Sequence, residues 1–97
     1  SEEIAVVLEV LAANEIVVDE PNWNRRYRRY LEKIQSGNLS DVAQVLRDLH
    51  LTRADKQLSY GERRVYEMAQ QLLVQELSVA QKSDEDTVRG EIEQILG

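Results

Sequence analysis

The sequence predicts an all-α fold, a compact bundle of about five helices in a chain of 97 residues. Apolar residues return at intervals of three and four along most of its length, the period of a helix with one buried face. Helix-capping residues stand where such runs begin, and the breaks between runs are mostly short and polar.

The first run covers about Glu2 to Ala13, with Ile4, Val7, Leu8 and Leu11 on one face and Glu2 and Glu3 at the positive end of the helix dipole. In the segment Glu15 to Pro21, Ile16-Val17-Val18 reads as a short extended piece, and Pro21 fixes a break. A second helix is expected from Asn22, a good N-cap type, to about Gln35. Ser36-Gly37-Asn38 ends it and caps a third, which sets Leu39, Val42, Leu46, Leu49 and Arg53 along one line and fades near Asp55. Ser59-Tyr60-Gly61-Glu62 matches the capping box Ser-x-x-Glu and opens a long fourth helix to about Gln81. Its apolar stripe is Val65, Met68, Ala69, Leu72, Leu73, Leu77 and Ala80. Ser83-Asp84-Glu85-Asp86 reads as the cap and acidic first turn of a fifth helix, with Val88, Ile92, Ile95 and Leu96 as its apolar face. With connections this short, successive helices are expected to pack as neighbours.

The length points to a single domain over 1–97, burying somewhat over ~60% of the surface its unfolded form exposes. With no Phe and one Trp, the core must be filled mostly by Leu, Val, Ile and Ala. The absence of cysteine excludes disulfides, thiolate metal ligands and a cysteine nucleophile, and it fits a reducing cytosol. No apolar run approaches the roughly 18 residues of a membrane span, and no signal-peptide pattern opens the chain. The chain begins with Ser rather than Met, which points to a piece of something longer.

The net charge of -6 argues against nucleic acid until its distribution is read. Residues 1–21 hold six acids and no base, and residues 65–97 hold seven acids and two bases. Between them, residues 22–64 hold ten bases against five acids. An acidic protein with one basic stretch can still present a local anion-binding face.

That stretch is concentrated in Asn22 to Ile34. At about 100° per residue, Trp23, Tyr27, Tyr30, Leu31 and Ile34 share one face. Arg25, Arg26, Arg29 and Lys33 are expected on the opposite side, with Arg28 at its edge near Glu32. Four arginines in the first two turns meet the positive end of the helix dipole, where a helix selected for stability alone carries acids. Local rules are broken most often at functional sites, which makes an anion the natural missing partner. Free backbone N–H groups at the same end favour phosphate, and the arginine fork matches its oxygens. A solvated basic surface explains the same pattern. Trp23 reads either as a core anchor or as an exposed indole placed to stack on a base or enter a groove, and Tyr27 and Tyr30 as packing residues with hydroxyls at the rim.

Pro21-Asn22-Trp23-x-Arg25-Arg26-Tyr27, then Leu31-Glu32-Lys33 and Ser36-Gly37, closely resembles the start of the C-terminal domain of CarD-family regulators. The likeness continues through Val42-Ala43-x-Val45-x-Arg47-Asp48-Leu49 and Leu58-Ser59-x-Gly61-Glu62-x-Arg64, and more loosely through Gln71-x-Leu73-Val74-x-Glu76-Leu77. The resemblance implies a bacterial, cytoplasmic transcription regulator whose helical domain sits on promoter DNA beside the upstream edge of the melted bubble. A separate β-rich N-terminal module, absent from this chain, binds the β subunit of RNA polymerase in that family. The pair stabilises the open promoter complex, with a tryptophan wedged at a distorted minor groove. Carried over by residue, the wedge falls on Trp23 and the basic contacts on Arg25, Arg28 and Arg63. Arg26, Arg29 and Arg64 are additional phosphate contacts by proximity in sequence. After Leu49 the family often carries an aromatic and further basic residues, whereas this chain has His50-Leu51-Thr52-Arg53. Sequence preference is expected to be weak, with few side chains placed to read base edges.

No enzyme activity, cofactor or metal site is expected. The single histidine, His50, has no nucleophile or ligand partner at a telling spacing and reads as a packed or rim residue. Asp84-Glu85-Asp86 lacks the glycine and alternating ligands of a calcium loop. A monomer without membrane contact is expected. The rival reading is a protein-interaction module in which Trp23 and the same arginines engage an acidic partner, since Trp and Arg dominate such hot spots.

Overall fold

In the computed structural model, which describes residues 2–97, the chain forms α1 (Glu2–Ala12), α2 (Trp23–Gln35), α3 (Leu39–Asp55), α4 (Tyr60–Gln81) and α5 (Glu85–Leu96), with no strand among the described residues. The side chain of Glu2, expected at the positive end of α1, lies outside the described residues.

The local signals act as the sequence predicts. Asn22 accepts a hydrogen bond from the Arg25 N–H, and Asn38 accepts one from the Ser40 N–H. Gly37 takes the left-handed conformation, φ 78°, that turns the chain between α2 and α3. Both halves of the capping box at Ser59 and Glu62 are present, and Asp84 caps α5 through the Thr87 N–H. At the other end of α4, the Ser83 N–H reaches the Ser78 carbonyl across Lys82, whose φ is 55°. That is a Schellman closure with lysine where glycine is favoured.

The core joins Val7 and Leu11 of α1, Tyr30 of α2, the middle of α3, the inner face of α4, and Val88, Ile92 and Leu96 of α5. Met68 and Ala80, expected in the α4 stripe, are exposed, and Val74 is buried instead. The Cα radius of gyration is 12.7 Å, close to the about 12.5 Å typical of a folded chain this long.

Two expectations change. α3 does not bury a single line of residues: Val42, Ala43, Val45, Leu46, Arg47, Asp48 and Leu49 are all buried, because α1, α2 and α4 pack around it, while Arg53 is exposed. α1 packs on α3 and α5 rather than on α2, which follows it, because the connection over 13–22 is long enough to carry the chain past α3. Ile16-Val17-Val18 lies between α1 and α2, outside both helices. Val17 and Val18 donate their N–H groups to the Asp48 carboxylate at 2.7 and 2.8 Å, and the Val18 side chain enters the core.

Two adjacent charged residues of α3 hold this arrangement. Arg47 donates to the carbonyls of Ala13, just past α1, and Leu96, at the end of α5. Neither helix has a basic residue in its own last turn, so Arg47 supplies the cation that both C-termini lack. Asp48 also accepts from the Tyr30 hydroxyl at 3.3 Å, tying the 13–22 segment and α2 to one carboxylate. Burial raises the Asp48 pKa, against the lowering effect of the Val17, Val18 and Tyr30 hydrogen bonds. Burial, and then the negative charge of Asp48, pushes the Tyr30 hydroxyl well above its ordinary value.

Candidate nucleic-acid interface

α2 and α4 lie side by side and run in the same direction. At one end the Trp23 ring covers Gly61: a Cβ on Gly61 would meet its Cζ2, Nε1 and Cε2 atoms at 3.1, 3.2 and 3.3 Å. Eleven residues further along each helix, Ile34 and Leu72 line one groove. A larger residue at 61 would press the ring outward by a few tenths of an ångström, so glycine suits this close approach. The positive ends of two helix dipoles therefore share one edge of the molecule.

Two like ends side by side need a counter-charge, and Glu62, 2% exposed, provides it. Its Oε2 accepts from Arg26 at 2.7 Å, and its Oε1 accepts from Lys56 at 2.8 Å and from the Ser59 N–H at 2.9 Å. Burial raises its pKa, but the Lys56 and Ser59 hydrogen bonds and the Lys56 charge outweigh burial and hold it below the ordinary value. Arg26 also donates to the Glu20 carbonyl and lies over the Trp23 ring, 4.9 Å from its centroid. Trp23 is thus half-buried, held between Arg26, Gly61 and Tyr27, whose ring centroid is 5.7 Å away. Among the described residues nothing accepts a hydrogen bond from its Nε1–H.

This corrects the expected faces of α2. Arg26 and Lys33 do not stand opposite the aromatic side. At about 100° per residue both fall within about 60° of Tyr30, and both turn inward. Arg26 goes to Glu62, and Lys33 donates to Gln44 of α3 at 2.6 Å. Charge alone assigns them to solvent, but hydrogen-bond partners on other helices draw them in. Tyr30 is fully buried, and Tyr27 is 40% exposed.

Arg25, Arg28 and Arg29 form the outward face of α2. Arg25 is 77% exposed and 3.8 Å from Glu20, a loose surface contact. Arg63 and Arg64 are exposed near the start of α4 and point about 100° apart, Arg64 toward the side of Gly61 and Arg63 away from it. Arg63 lines a groove with Arg53, Lys56 and Tyr66, while Arg64 faces α2 and lies over the Tyr60 ring. Arg28, Arg29, Arg63 and Arg64 have no carboxylate partner among the described residues. Six of the seven residues expected to contact DNA thus lie on or around the shared helix ends, and Arg26 lies beneath them as an internal brace.

Sequence reasoning missed Glu62 as a hub, Lys56, Arg53 and Tyr60. The capping box singled out Glu62 only for its local role, and an aromatic after a cap carries no signal of exposure. His50 is half-buried with Nδ1 3.4 Å from the Tyr66 hydroxyl; burial, then Arg47 and Arg53, lower its pKa. Asp84 is occupied as the α5 cap. No group of three or more His, Cys, Asp or Glu among the described residues is arranged to hold a metal ion.

Residues 6–93 match the model of the family described as CarD, C-terminal domain. A relative from Bacillus subtilis (strain 168), the candidate transcription factor YdeB, is 30% identical over 67 residues. That match covers 69% of this chain and 44% of YdeB, so it takes in less than half of the relative's length. The chain belongs to the CarD C-terminal domain family, a transcription-factor family.

Proposed function

We propose that this chain is the DNA-binding part of a transcription regulator and acts as one helical unit on promoter DNA. The observation that carries the proposal is the shared positive end of α2 and α4, where the half-buried Trp23 is braced by Arg26 and exposed arginines of both helices, Arg28, Arg29, Arg63 and Arg64, have no carboxylate partner among the described residues. Arg25, Arg28, Arg29, Arg63 and Arg64 bind backbone phosphates with little regard to sequence. The indole enters a distorted minor-groove step. Unstacking a step costs a few kcal/mol, which the phosphate contacts offset. The chain catalyses no bond change. It binds the melted promoter better than the closed one and shifts that population. On this reading, which the family resemblance supports, the site lies at the upstream edge of the bubble and polymerase binding belongs to a separate module.

A low-salt NMR titration with a short forked promoter duplex tests this. Shifts centred on the Trp23 indole N–H and the amides of Arg25, Arg28 and Arg63, reversed by salt, are the expected result. An unperturbed spectrum at millimolar DNA overturns the proposal and moves the same face to an acidic protein partner.

A further inference from the structure

Trp23 and Tyr60 occupy equivalent positions. Each is the first residue of its helix, α2 or α4, and Cα–Cβ bonds in a helix tilt toward its N-terminus. Each is followed by a pair of arginines, Arg25-Arg26 two and three residues on and Arg63-Arg64 three and four residues on, and in each case the second arginine lies over the ring, at 4.9 Å for Trp23 and 5.8 Å for Tyr60. The two sites adjoin, because the Trp23 ring rests on Gly61, the next residue after Tyr60. Tyr27 touches Trp23 on the next turn of α2, with ring centroids 5.7 Å apart.

The difference lies in burial. Tyr60 is 73% exposed, so its ring contributes little to the core. Arg64 lies over one face of the ring, a contact that does not need the hydroxyl, and also donates to that hydroxyl at 3.2 Å, while the rest of the ring stays open to solvent. An exposed, ordered aromatic beside unpaired positive charge has the make-up of a base-stacking platform.

We propose that Tyr60 is a second stacking residue, taking an unpaired nucleobase next to the step that Trp23 enters, with Arg64 on the adjoining phosphate. The proposal rests on the DNA reading above. Its occupant is a base from a melted strand, since an intact duplex offers no free base face. Arg64 therefore serves the base site, and Arg63, which faces the groove with Arg53 and Lys56, serves the duplex backbone.

The test uses this chain with a forked duplex carrying 2-aminopurine in its single-stranded arm, and with the matching closed duplex. The native chain should change the 2-aminopurine emission on the fork. Tyr60→Ala and Tyr60→Leu should each bind the fork about tenfold more weakly, lose that emission change, and bind closed duplex as before. Tyr60→Phe should behave as native, because it keeps the π face and loses only the hydroxyl. Circular dichroism should be the same for all variants at this exposed position. If Tyr60→Ala binds the fork as the native chain does while Trp23→Ala binds it less well, the second platform is wrong and the DNA reading stands. A phenylalanine variant as weak as alanine also overturns stacking and assigns a hydroxyl contact. If the native chain ignores both DNAs, the DNA reading falls and this proposal with it.

Discussion

A carboxylate as buried as Glu62 must be paired, and its partners place it at the junction of α2, α4 and the segment between α3 and α4. Removing the charge leaves Arg26 and Lys56 without their counter-ion and frees the guanidinium that lies on Trp23. Breaking a buried pair from one side costs about 3 kcal/mol or more, and Lys56, which is half-exposed, recovers part of that in water. The depressed Glu62 pKa gives this cost a pH signature. The stability it carries is complete above the ordinary glutamate range and is lost as pH falls through the lower folded value. Glu62→Gln should therefore be clearly less stable than the native chain near neutrality. The gap in urea midpoint should close as pH drops from about 5 to about 3. A gap that stays constant across that window would place its origin in shape rather than charge. Asp48, whose raised pKa works in the opposite direction, titrates in both proteins and so drops out of the difference.

At the scale of the helices, the ends decide more than the middles. α4 ends on Lys82 in the left-handed region, where an L side chain costs roughly 1 kcal/mol that glycine does not incur. Glycine loses more backbone entropy on folding, so Lys82→Gly should raise stability by about 0.5 kcal/mol in a thermal melt. Arg47 is the opposite case, a buried cation closing α1 and α5 from a third helix. Arg47→Met keeps the volume and removes the donors, leaving two carbonyls without that partner; a loss of about 2–3 kcal/mol should appear in urea unfolding with an unchanged slope. Because α1 and α5 pack against each other and on α3 or α4, the loss belongs to the side of the bundle away from Trp23. Fork-DNA binding by the folded variant should be unaffected.

Across the whole molecule, charge is segregated. The acidic helices α1 and α5 pack together, and the outward arginines gather where α2 and α4 begin. The net charge of -6 therefore conceals a polar molecule with one positively charged edge. If three to five of Arg25, Arg28, Arg29, Arg63 and Arg64 displace counterions, log K against log salt should have a slope between about -3 and about -4.5 on duplex DNA. A slope near zero, measured by fluorescence anisotropy, would contradict phosphate contact altogether. Arg26→Gln should weaken binding without changing that slope, since Arg26 is spent on Glu62 rather than on solvent.

What the sequence by itself determined is what depends on neighbours within a few residues. Asn22, Asn38, Ser59 and Asp84 cap the helices they were expected to cap, Gly37 makes the expected turn, and five helices follow. The basic stretch and Trp23 stand out on the same local grounds, and so does the family likeness. Tertiary structure alone decided which way α2 is rolled, because Arg26 meets its partner 36 residues away and the Trp23 ring is set by the missing side chain of Gly61. It also decided that α1 passes α2 to reach α3 and α5, and that Arg47 and Asp48 turn inward. A charged residue looks solvated until the group that neutralises it is known, and helical period carries no information about a partner on another helix.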